Sequence, residues 1–569
     1  MNRILLWFCI VAIGLSQTTH ADEQSTYQRA VETAKAAAHV LEQAEKAHEA
    51  SQLALKAARE ALQNAEAIAQ SAYMELQDRK RRERVAGLPK PPEPPAVDAP
   101  SSNAIDQFII AKWPKDSGPQ LCSDEVFLRR AFLDIVGYIP KPDEVTKFVK
   151  DANPGKRAQW IDQLLARDED YAAHWSQFWE DALCSNGKHQ GGVGTRGDFQ
   201  PYIIESFKQN KPYDVFVTQL LNPNVVGYYG GYVKSKDHLE STQTAANVGQ
   251  VFLGTRLKCA SCHDHFLNYE WTQKRFLGFA SFFHKDNLEV IRCEVKHGEF
   301  VKPAFIFENG SVDAAQLDSL DKRLETVSNL IVDPANPRFA ASFINRLWKR
   351  SLGLGLIEPV DDFREDTPAS HPELLAWLSH EFAASGYDIK HVMRLVFNSR
   401  TYQLEFNETL ADVWREGEEA PRYFRSPAQR RLTCEQALDS IAAAVGLQRK
   451  RTTFDESSTP LTRSLGKPET RNEVITTRAE DVAVIQSLQL MNSPEFHEMI
   501  YGSPLPGRLA KTKDNEEALR LAYLRVLSRE PNANERDAIL AQLGEAPHVD
   551  EWGDLLWALA SSPQFHYIN

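Results

Sequence analysis

The feature that most constrains the fold is a stretch from residue 24 to residue 85 that contains neither glycine nor proline. Alanine, glutamate, glutamine, lysine and arginine dominate this stretch, and all of them favour the α-helix. Its apolar side chains, such as Val40, Leu53 and Met74, are too widely spaced to form a deep core. Residues 22–86 are therefore predicted to form one long helix or a coiled-coil-like helical hairpin, which either self-associates through its alanines or stands as a solvated spacer.

A proline-rich linker over residues 87–102 follows the helical region. The basic cluster Arg79-Lys80-Arg81-Arg82 suits the C-terminal end of a helix, because positive charge there interacts favourably with the helix dipole. Gly87 ends the helix, and six prolines between residues 89 and 100 make the linker stiff and extended. We therefore expect the N-terminal helix to hold the rest of the chain at a distance.

Residues 1–21 have the pattern of a secretory signal peptide. Arg3 provides the positive start, residues 4–15 form a short apolar run, and Ala21 is a small residue at the expected cleavage point. An uncleaved anchor is the alternative, but the run is shorter than the ~20 residues that cross a bilayer comfortably. We expect export to the periplasm or cell envelope, cleavage near Ala21, and no transmembrane segment in the mature chain.

The overall composition is that of a globular, acidic chain. Apolar residues make up 42% of the 569 residues, which is enough for a sizeable core. Lys and Arg number 65 against 78 Asp and Glu, which gives a formal net charge of -13. Because phosphate binding needs a basic stripe, this balance argues against nucleic acid as a partner.

Apolar positions recur with helical spacing from residue 105 onward. They predict a mainly α fold of multi-helix domains, at about 103–285 and 330–569. Within the connector at 286–329, β-branched and aromatic residues surround His297 and Gly298, which predicts one small β-hairpin over residues 288–307. Ser370 and Glu373, with Pro372 in the first turn, predict a capping box at the start of a helix.

A faint internal repeat links the two ends of the folded part. Residues 128–133 match residues 519–524 without gaps, and Glu144 lies at the same offset from the first segment as Glu535 does from the second. We interpret this as one helix-turn-helix-helix unit that the chain uses twice. Chance similarity between amphipathic helices is the alternative.

The chemistry of the sequence is concentrated in residues 259–265, which read Cys-Ala-Ser-Cys-His-Asp-His. The pattern Cys-x-x-Cys-His is the attachment motif of c-type haem. In this interpretation Cys259 and Cys262 form thioethers with the haem vinyl groups, and His263 is the axial ligand of the iron. The motif therefore predicts a covalent haem c, which agrees with an exported chain.

Three other interpretations of these residues stay open. The two cysteines could form a disulfide, or they could be a redox-active thiol pair. Alternatively, Cys259, Cys262 and either His263 or His265 could bind zinc, with Cys293 as a fourth ligand. The sequence alone does not separate these possibilities from haem.

The ligand on the opposite face of a haem iron is not evident in the sequence. His284 is the best-placed nearby histidine. His265 is too close to His263 to reach that face, so we expect it to orient a haem propionate or His263 itself. Without such a ligand the iron would be five-coordinate and open to small molecules.

Two weaker groups of residues carry further expectations. An acidic cluster contains three carboxylates, one guanidinium and one imidazole, namely Asp361, Asp362, Asp366, Arg364 and His371. A hydrolase could use paired carboxylates there, but the alternative is that they pair with Arg364 and Arg346. A core of this size needs no covalent staples, so we expect no disulfide essential for folding among the remaining cysteines, Cys122, Cys184, Cys293 and Cys434.

Several longer motifs accompany the cysteine segment. They are Gln250–Gly254, Trp271–Lys274, Gly355–Arg364, Ser370–Leu375, Ser399–Leu404 and Met491–Pro494. Together with the cysteine segment they resemble a pair of planctomycete domains of unknown function, a cytochrome-C-type domain (PSCyt type) followed by a planctomycete-specific domain (PSD type). The resemblance covers roughly residues 103–569.

What the resemblance implies about function is modest. The family is exported and often follows a separate cytochrome-c-like domain, whose place the alanine-rich helix takes here. We expect a c-type-haem electron-transfer protein with a redox partner protein. A non-redox structural or interaction protein of the envelope is the alternative, and a polysaccharide-active enzyme is a weaker one. No catalytic residue can be assigned.

Overall fold

The structure is a computed structural model that describes residues 23–46, 52–114, 118–183, 196–225, 238–266, 269–292, 295–308, 312–416, 421–447, 458–468, 474–478 and 484–569. The predicted signal peptide, Cys184 and Cys293 lie outside the described residues. The described part is mainly α, with a small β-hairpin, as predicted. None of its helices is long and apolar enough to cross a membrane.

The first half of the described chain consists mostly of helices. In order they are α1 (Glu23–Lys46), α2 (Gln52–Ala86), α3 (Ala104–Ile110), α4 (Asp124–Ile135), α5 (Pro142–Lys150), α6 (Lys156–Leu165), α7 (Asp168–Ala182), α8 (Arg196–Lys208), α9 (Tyr213–Leu221), α10 (His238–Leu253) and α11 (Gln273–Ala280). Short 3₁₀ helices lie at Lys258–Ser261, Ser281–Phe283 and Ala314–Leu317.

The second half continues the same pattern. Its helices are α12 (Leu320–Val332), α13 (Phe339–Leu352), α14 (Pro372–Ala384), α15 (Ile389–Asn398), α16 (Cys434–Val445), α17 (Pro460–Ser464), α18 (Val484–Asn492), α19 (Pro494–Tyr501), α20 (Leu505–Leu509), α21 (Asn515–Val526), α22 (Ala533–Leu543), α23 (Val549–Ser561) and α24 (Pro563–His566). α13 ends at Gly353, whose φ of 87° lies in the left-handed region that favours glycine.

The predicted hairpin is formed by the antiparallel strands β1 (Leu288–Arg292) and β2 (Val295–Val301). His297 and Gly298 lie within β2, next to a shift in the pairing register. Gly298 has a φ of 69° there, and its N–H donates to a carboxylate oxygen of Glu289 (3.0 Å). A second short pairing, which the sequence did not predict, joins β3 (Arg430–Arg431) to β4 (Tyr567–Ile568).

The alanine-rich region is a helical hairpin of α1 packed against α2. Its buried alanines lie on both helices, at Ala30, Ala34, Ala37, Ala65, Ala69 and Ala72. The seam that was expected to support self-association is therefore used inside the hairpin. Self-association through this region stays a prediction, and it would need a different surface.

The expectation that the N-terminal helix holds the rest of the chain at a distance is wrong. Arg81 of α2 forms an ion pair with Asp214 of α9 at 2.6 Å, and both side chains are less than a tenth exposed. Tyr73 packs with Val215 and Val225 in a small apolar cluster. Burial of these groups draws α2 onto the body despite the stiff linker, which sequence composition could not reveal.

Replacement of Arg81 tests this docking. Removal of one partner of a buried ion pair leaves the other charge without compensation, which costs about 3 kcal/mol. We expect Arg81→Ala to lower the free energy of opening of α2 by about that amount, measured by hydrogen exchange of α2 peptides. Arg82→Ala is the control, because its side chain is 78% exposed and a surface ion pair contributes at most about 1 kcal/mol. Equal effects of the two substitutions would contradict the docking.

The two clusters of buried apolar residues do not coincide with the two domains expected from the sequence. The larger cluster of buried apolar residues begins at Ile105 and continues to Phe424, with Leu524 added from the end of the chain. It therefore contains helices from both of the regions expected at 103–285 and 330–569. The smaller cluster lies within residues 432–568, with Leu133 and Ile139 added from the first region. The domain boundaries stay predictions, but each core is shared between the two ends of the folded part.

The internal repeat corresponds to two sets of three helices. The first copy of the repeat consists of the consecutive helices α4, α5 and α6, and the second copy consists of α21, α22 and α23. The first helix has 12 residues in each set. Glu144 and Glu535 both accept a backbone N–H at the start of their helix. Leu133 lies in the cluster of the second set, whereas Leu524, its counterpart, lies in the cluster of the first set. Each set therefore contributes one leucine to the core cluster of the other set.

The capping box expected at Ser370 is wrong. α14 begins at Pro372, but His371 is the residue that precedes it, and no side chain caps the helix. Both the N–H and the hydroxyl of Ser370 donate instead to the carbonyl of Leu356, at 2.8 and 3.2 Å. A tertiary contact with the preceding loop therefore replaces the local cap.

Candidate functional site

The cysteine segment follows directly from a helix whose end is fixed by a glycine. α10 ends at Leu253, and Gly254 has a φ of 59°. A Cβ at Gly254 would lie 3.2 Å from the ring of Phe363 and from Ser342, so the close approach of these residues requires glycine. The chain then enters the 3₁₀ helix Lys258–Ser261, which carries the first cysteine of the motif.

The motif side chains face solvent. Cys259 and Cys262 are exposed free thiols, and Cys262 Sγ lies 4.0 Å from the carbonyl oxygen of Cys259. The ring Nδ1 of His263 lies 2.7 Å from the carbonyl oxygen of Asp264. A carbonyl can only accept, so Nδ1 carries the proton and donates it, which leaves the lone pair of Nε2 available to a metal ion.

Gln273 fixes the backbone of the motif to the hairpin. Its buried side-chain amide donates to the carbonyls of Ser261 (3.2 Å) and Ile291 (2.7 Å). Its backbone N–H, at the start of α11, donates to a carboxylate oxygen of Asp264 (2.8 Å). The residue therefore holds the segment on both sides of His263. The sequence motif contained Gln273 but gave no sign of this role.

His265 is a buried neighbour of the motif. It is 5% exposed, and its backbone N–H donates to the carbonyl of Trp271 (2.9 Å). Its ring stacks on Phe266, which is itself 61% exposed. Burial lowers the pKa of His265, although the charge of Asp362 opposes this shift. The orienting role expected for His265 stays a prediction.

His284 has its contacts in the turn before β1. Its ring Nδ1 accepts the N–H of Asp286 (3.0 Å), and its backbone carbonyl accepts a hydrogen bond from Arg323 (2.9 Å). Neither partner belongs to the cysteine motif. A distal role for His284 stays a prediction, which these contacts do not support.

Asp361 joins the motif region to the second half of the chain. It is fully buried and accepts hydrogen bonds from Gln250 (2.6 Å), Arg256 (2.7 Å) and the hydroxyl of Thr476. Burial by itself would raise the pKa of Asp361, but the charge of Arg256 and the two neutral donors outweigh burial and hold the pKa below its ordinary value. Asp361 is therefore a structural anion.

Arg346 also stabilises the contact between the motif region and the second half of the chain. The sequence suggested that it pairs with the loop carboxylates, but its guanidinium donates to the carbonyls of Gln250 (2.6 Å) and Val251 near the end of α10. These carbonyls lack partners within the helix, so a buried cation there satisfies them and complements the helix dipole. Next to this contact, the backbone N–H of Phe363 donates to the carbonyl of Gly254 (2.8 Å).

The other members of the acidic cluster do not form a catalytic pair. Arg364 bonds to Asp362 (3.0 Å) and Asp366 (2.9 Å), so the expected pairing with Arg364 is present. His371 is buried against Phe424, and burial lowers its pKa to about 3, with the charges of Lys112 and Arg422 adding to the effect. An imidazole with a pKa this low is a weak base, so His371 is poorly suited to general-base catalysis near neutral pH.

No metal cluster of protein ligands is preassembled in the described part of the chain. No group of three His, Cys, Asp or Glu side chains there lies close enough to hold a metal ion. The expected fourth zinc ligand, Cys293, lies outside the described residues. Cys122 and Cys434 are buried and take part in no disulfide.

The fold and the site define a mainly α protein in which an exposed Cys-x-x-Cys-His segment lies at the joint between two helical regions. Residues 104–287 match the family model PSCyt2, a protein of unknown function (DUF1549). Residues 322–463 match PSD1, a second protein of unknown function (DUF1553). The two matches follow each other in the order that the motifs indicated, which confirms the resemblance of these two regions. Neither a curated protein nor a solved structure matches the chain.

The role of Asp361 predicts a specific response to acid. A carboxylate whose pKa is lowered by folding stabilises the folded state above the ordinary pKa of about 4, and this contribution is lost as the pH falls. We expect Asp361→Asn to lower the free energy of unfolding by about 3 kcal/mol near neutral pH, because Arg256 and Arg346 lose their buried anion. The difference from the wild type should shrink below about pH 4 in urea unfolding curves.

Asp366→Asn is the matched control for this measurement. Asp366 also pairs with an arginine, but its side chain is 64% exposed, so the substitution should cost at most about 1 kcal/mol. A difference between Asp361→Asn and wild type that stays constant down to about pH 2 would contradict the assignment of Asp361 as the stabilising anion.

Proposed function

We propose that the chain is an electron-transfer protein that carries a c-type haem on its Cys-x-x-Cys-His segment. The thiols of Cys259 and Cys262 would hold the porphyrin, and Nε2 of His263 would bind the iron. The observation that carries the proposal is the hydrogen bond between His263 Nδ1 and the Asp264 carbonyl, beside two exposed free thiols. Haem-ligating histidines need this second-side hydrogen bond to fix their tautomer and orientation.

The donor set fits the proposed group. Two free thiols can each add to a vinyl group, and both are open to solvent, so a maturation system can reach them. Haem bound there supplies a one-electron couple. The residues of the chain hold the ligand: Asp264 orients the imidazole, and Gln273 fixes the backbone on either side of His263. An exposed attachment site also suits electron exchange with a partner protein.

The location proposed for this activity is outside the cytoplasm. Covalent attachment of haem agrees with export, and residues 1–21 have the composition of a signal peptide. The alternatives from the sequence keep less support. Asp361 and Asp362 are both bound by arginines, which leaves the polysaccharide-active enzyme without its carboxylate pair. Within the described residues, a zinc site would need a ligand beyond those that lie close together.

Expression with a c-type maturation system tests the proposal. We expect a Soret band that survives acid-acetone extraction, together with the mass increase of one haem on the peptide that contains residues 259–263. Cys262→Ala should leave at most one thioether, and His263→Ala should keep the attached haem but change its visible spectrum through loss of the axial ligand.

The controls for haem attachment use the same cells. His548→Ala removes an exposed histidine (72% exposed side chain) and should leave the spectrum unchanged. A known c-type cytochrome matured in parallel shows that the machinery works. Complete loss of visible absorbance on extraction of the wild-type chain, with normal maturation of that cytochrome, would contradict the proposal.

A further inference from the structure

A cavity of about 160 Å³ lies among α7, α13, α16 and the segment 474–478. This volume is close to that of engineered protein cavities that accept one benzene-sized molecule. Its wall contains two aspartates, Asp134 and Asp181. It also contains six cationic side chains, those of Arg346, Lys349, Arg350, Arg430, Arg431 and Arg478. Cationic side chains thus outnumber acidic ones in the described part of the wall.

Carboxylates pair with several of these cations. Arg430 binds both oxygens of Asp134, at 2.6 and 2.9 Å. Arg478 bonds to Asp181 at 2.7 Å and to Glu435 at 2.5 Å. Both aspartates of the wall are therefore already engaged by an arginine. Lys349 bonds to Glu358 behind the wall (3.1 Å).

Arg350 differs from the other cations of the wall. Its guanidinium lies over the rings of Trp175 (5.0 Å) and Phe178 (5.4 Å), and its side chain donates no hydrogen bond within the described part of the chain. Burial lowers the pKa of Arg350 to about 10, with Arg478 and Arg430 adding to the shift and Asp134 opposing it. The side chain is still protonated at neutral pH, so an unpaired cation faces the cavity.

We propose that this cavity binds a small oxyanion, such as phosphate, sulfate or a short carboxylate, through the guanidinium of Arg350. The planar guanidinium fork matches the oxygens of such anions in a bidentate contact. The two aromatic rings hold the guanidinium in place, which lowers the entropy that binding costs. An anion there also interacts favourably with the charge of Arg350 in a partly water-excluded space.

The cavity is connected to the joint that holds the cysteine motif. Thr476 and Val360 belong to the cavity wall, and the hydroxyl of Thr476 donates to Asp361. Arg346 belongs to the wall as well and holds the end of α10. The anion site does not depend on haem, so anion binding can be tested with the full-length chain in the absence of any cofactor.

Titration of the full-length chain with inorganic phosphate tests the proposal, with sodium chloride at equal ionic strength as the reference. We expect saturable binding by calorimetry and an increased melting temperature. Arg350→Gln should weaken binding at least about tenfold, because a charged hydrogen-bond donor is lost. Arg394→Gln is the control, since Arg394 is 43% exposed and pairs with Asp162 at the surface, and it should bind as the wild type does. Equal binding by Arg350→Gln would overturn the proposal.

Chemical modification of the wild-type chain decides the question even where Arg350→Gln does not fold. Phenylglyoxal reacts with accessible arginines, and mass spectrometry locates the modified peptides. We expect phosphate, sulfate or acetate to slow the modification of Arg350 at least about fivefold, with no change at Arg394. The anion that protects at the lowest concentration identifies the ligand class. If none of the three anions changes the rate at which phenylglyoxal modifies Arg350, the proposal is overturned.

Discussion

Buried arginines that donate to backbone carbonyls of distant segments are the interaction on which the rest of the structure depends. Arg129 and Arg130, both on α4, bind carbonyls of Phe565 and Leu404, at 2.8 and 2.9 Å. Arg346 does the same for the end of α10. A guanidinium has five donors in one plane, so a single side chain satisfies carbonyls that would otherwise be buried without a partner. These contacts connect the beginning, middle and end of the folded part.

The sequence motifs that identify the two families lie at these joints. Asp106 of the PSCyt2 region is fully buried and accepts the N–H and hydroxyl of Thr401 in the PSD1 region, each at 2.8 Å. Asp361 and the contact between Gly254 and Phe363 join the same two regions around the cysteine segment. Since both regions contribute to one apolar core, each buries surface that it would expose if the other were absent.

Local patterns of the sequence predicted most of the fold, but they did not predict the contacts between distant residues. The helical spacing and the hairpin depend on near neighbours, and so does the repeat of three helices. The docking of α2 depends on Arg81 meeting Asp214, and the missing cap at Ser370 depends on a carbonyl of another loop. At the site, the motif located the thiols and His263. The donors to Asp361, namely Gln250, Arg256 and Thr476, became evident only from the structure.

The central claim is that the cysteine segment is held by both family regions, which fold as one cooperative structure. Hydrogen exchange of the whole chain in rising denaturant tests it most directly, because it reports the opening free energy of each helix. The account predicts that peptides of α10 and α13 lose protection with the same free energy and the same denaturant dependence. Loss of protection in α10 at clearly lower denaturant, with α13 still protected, would contradict it.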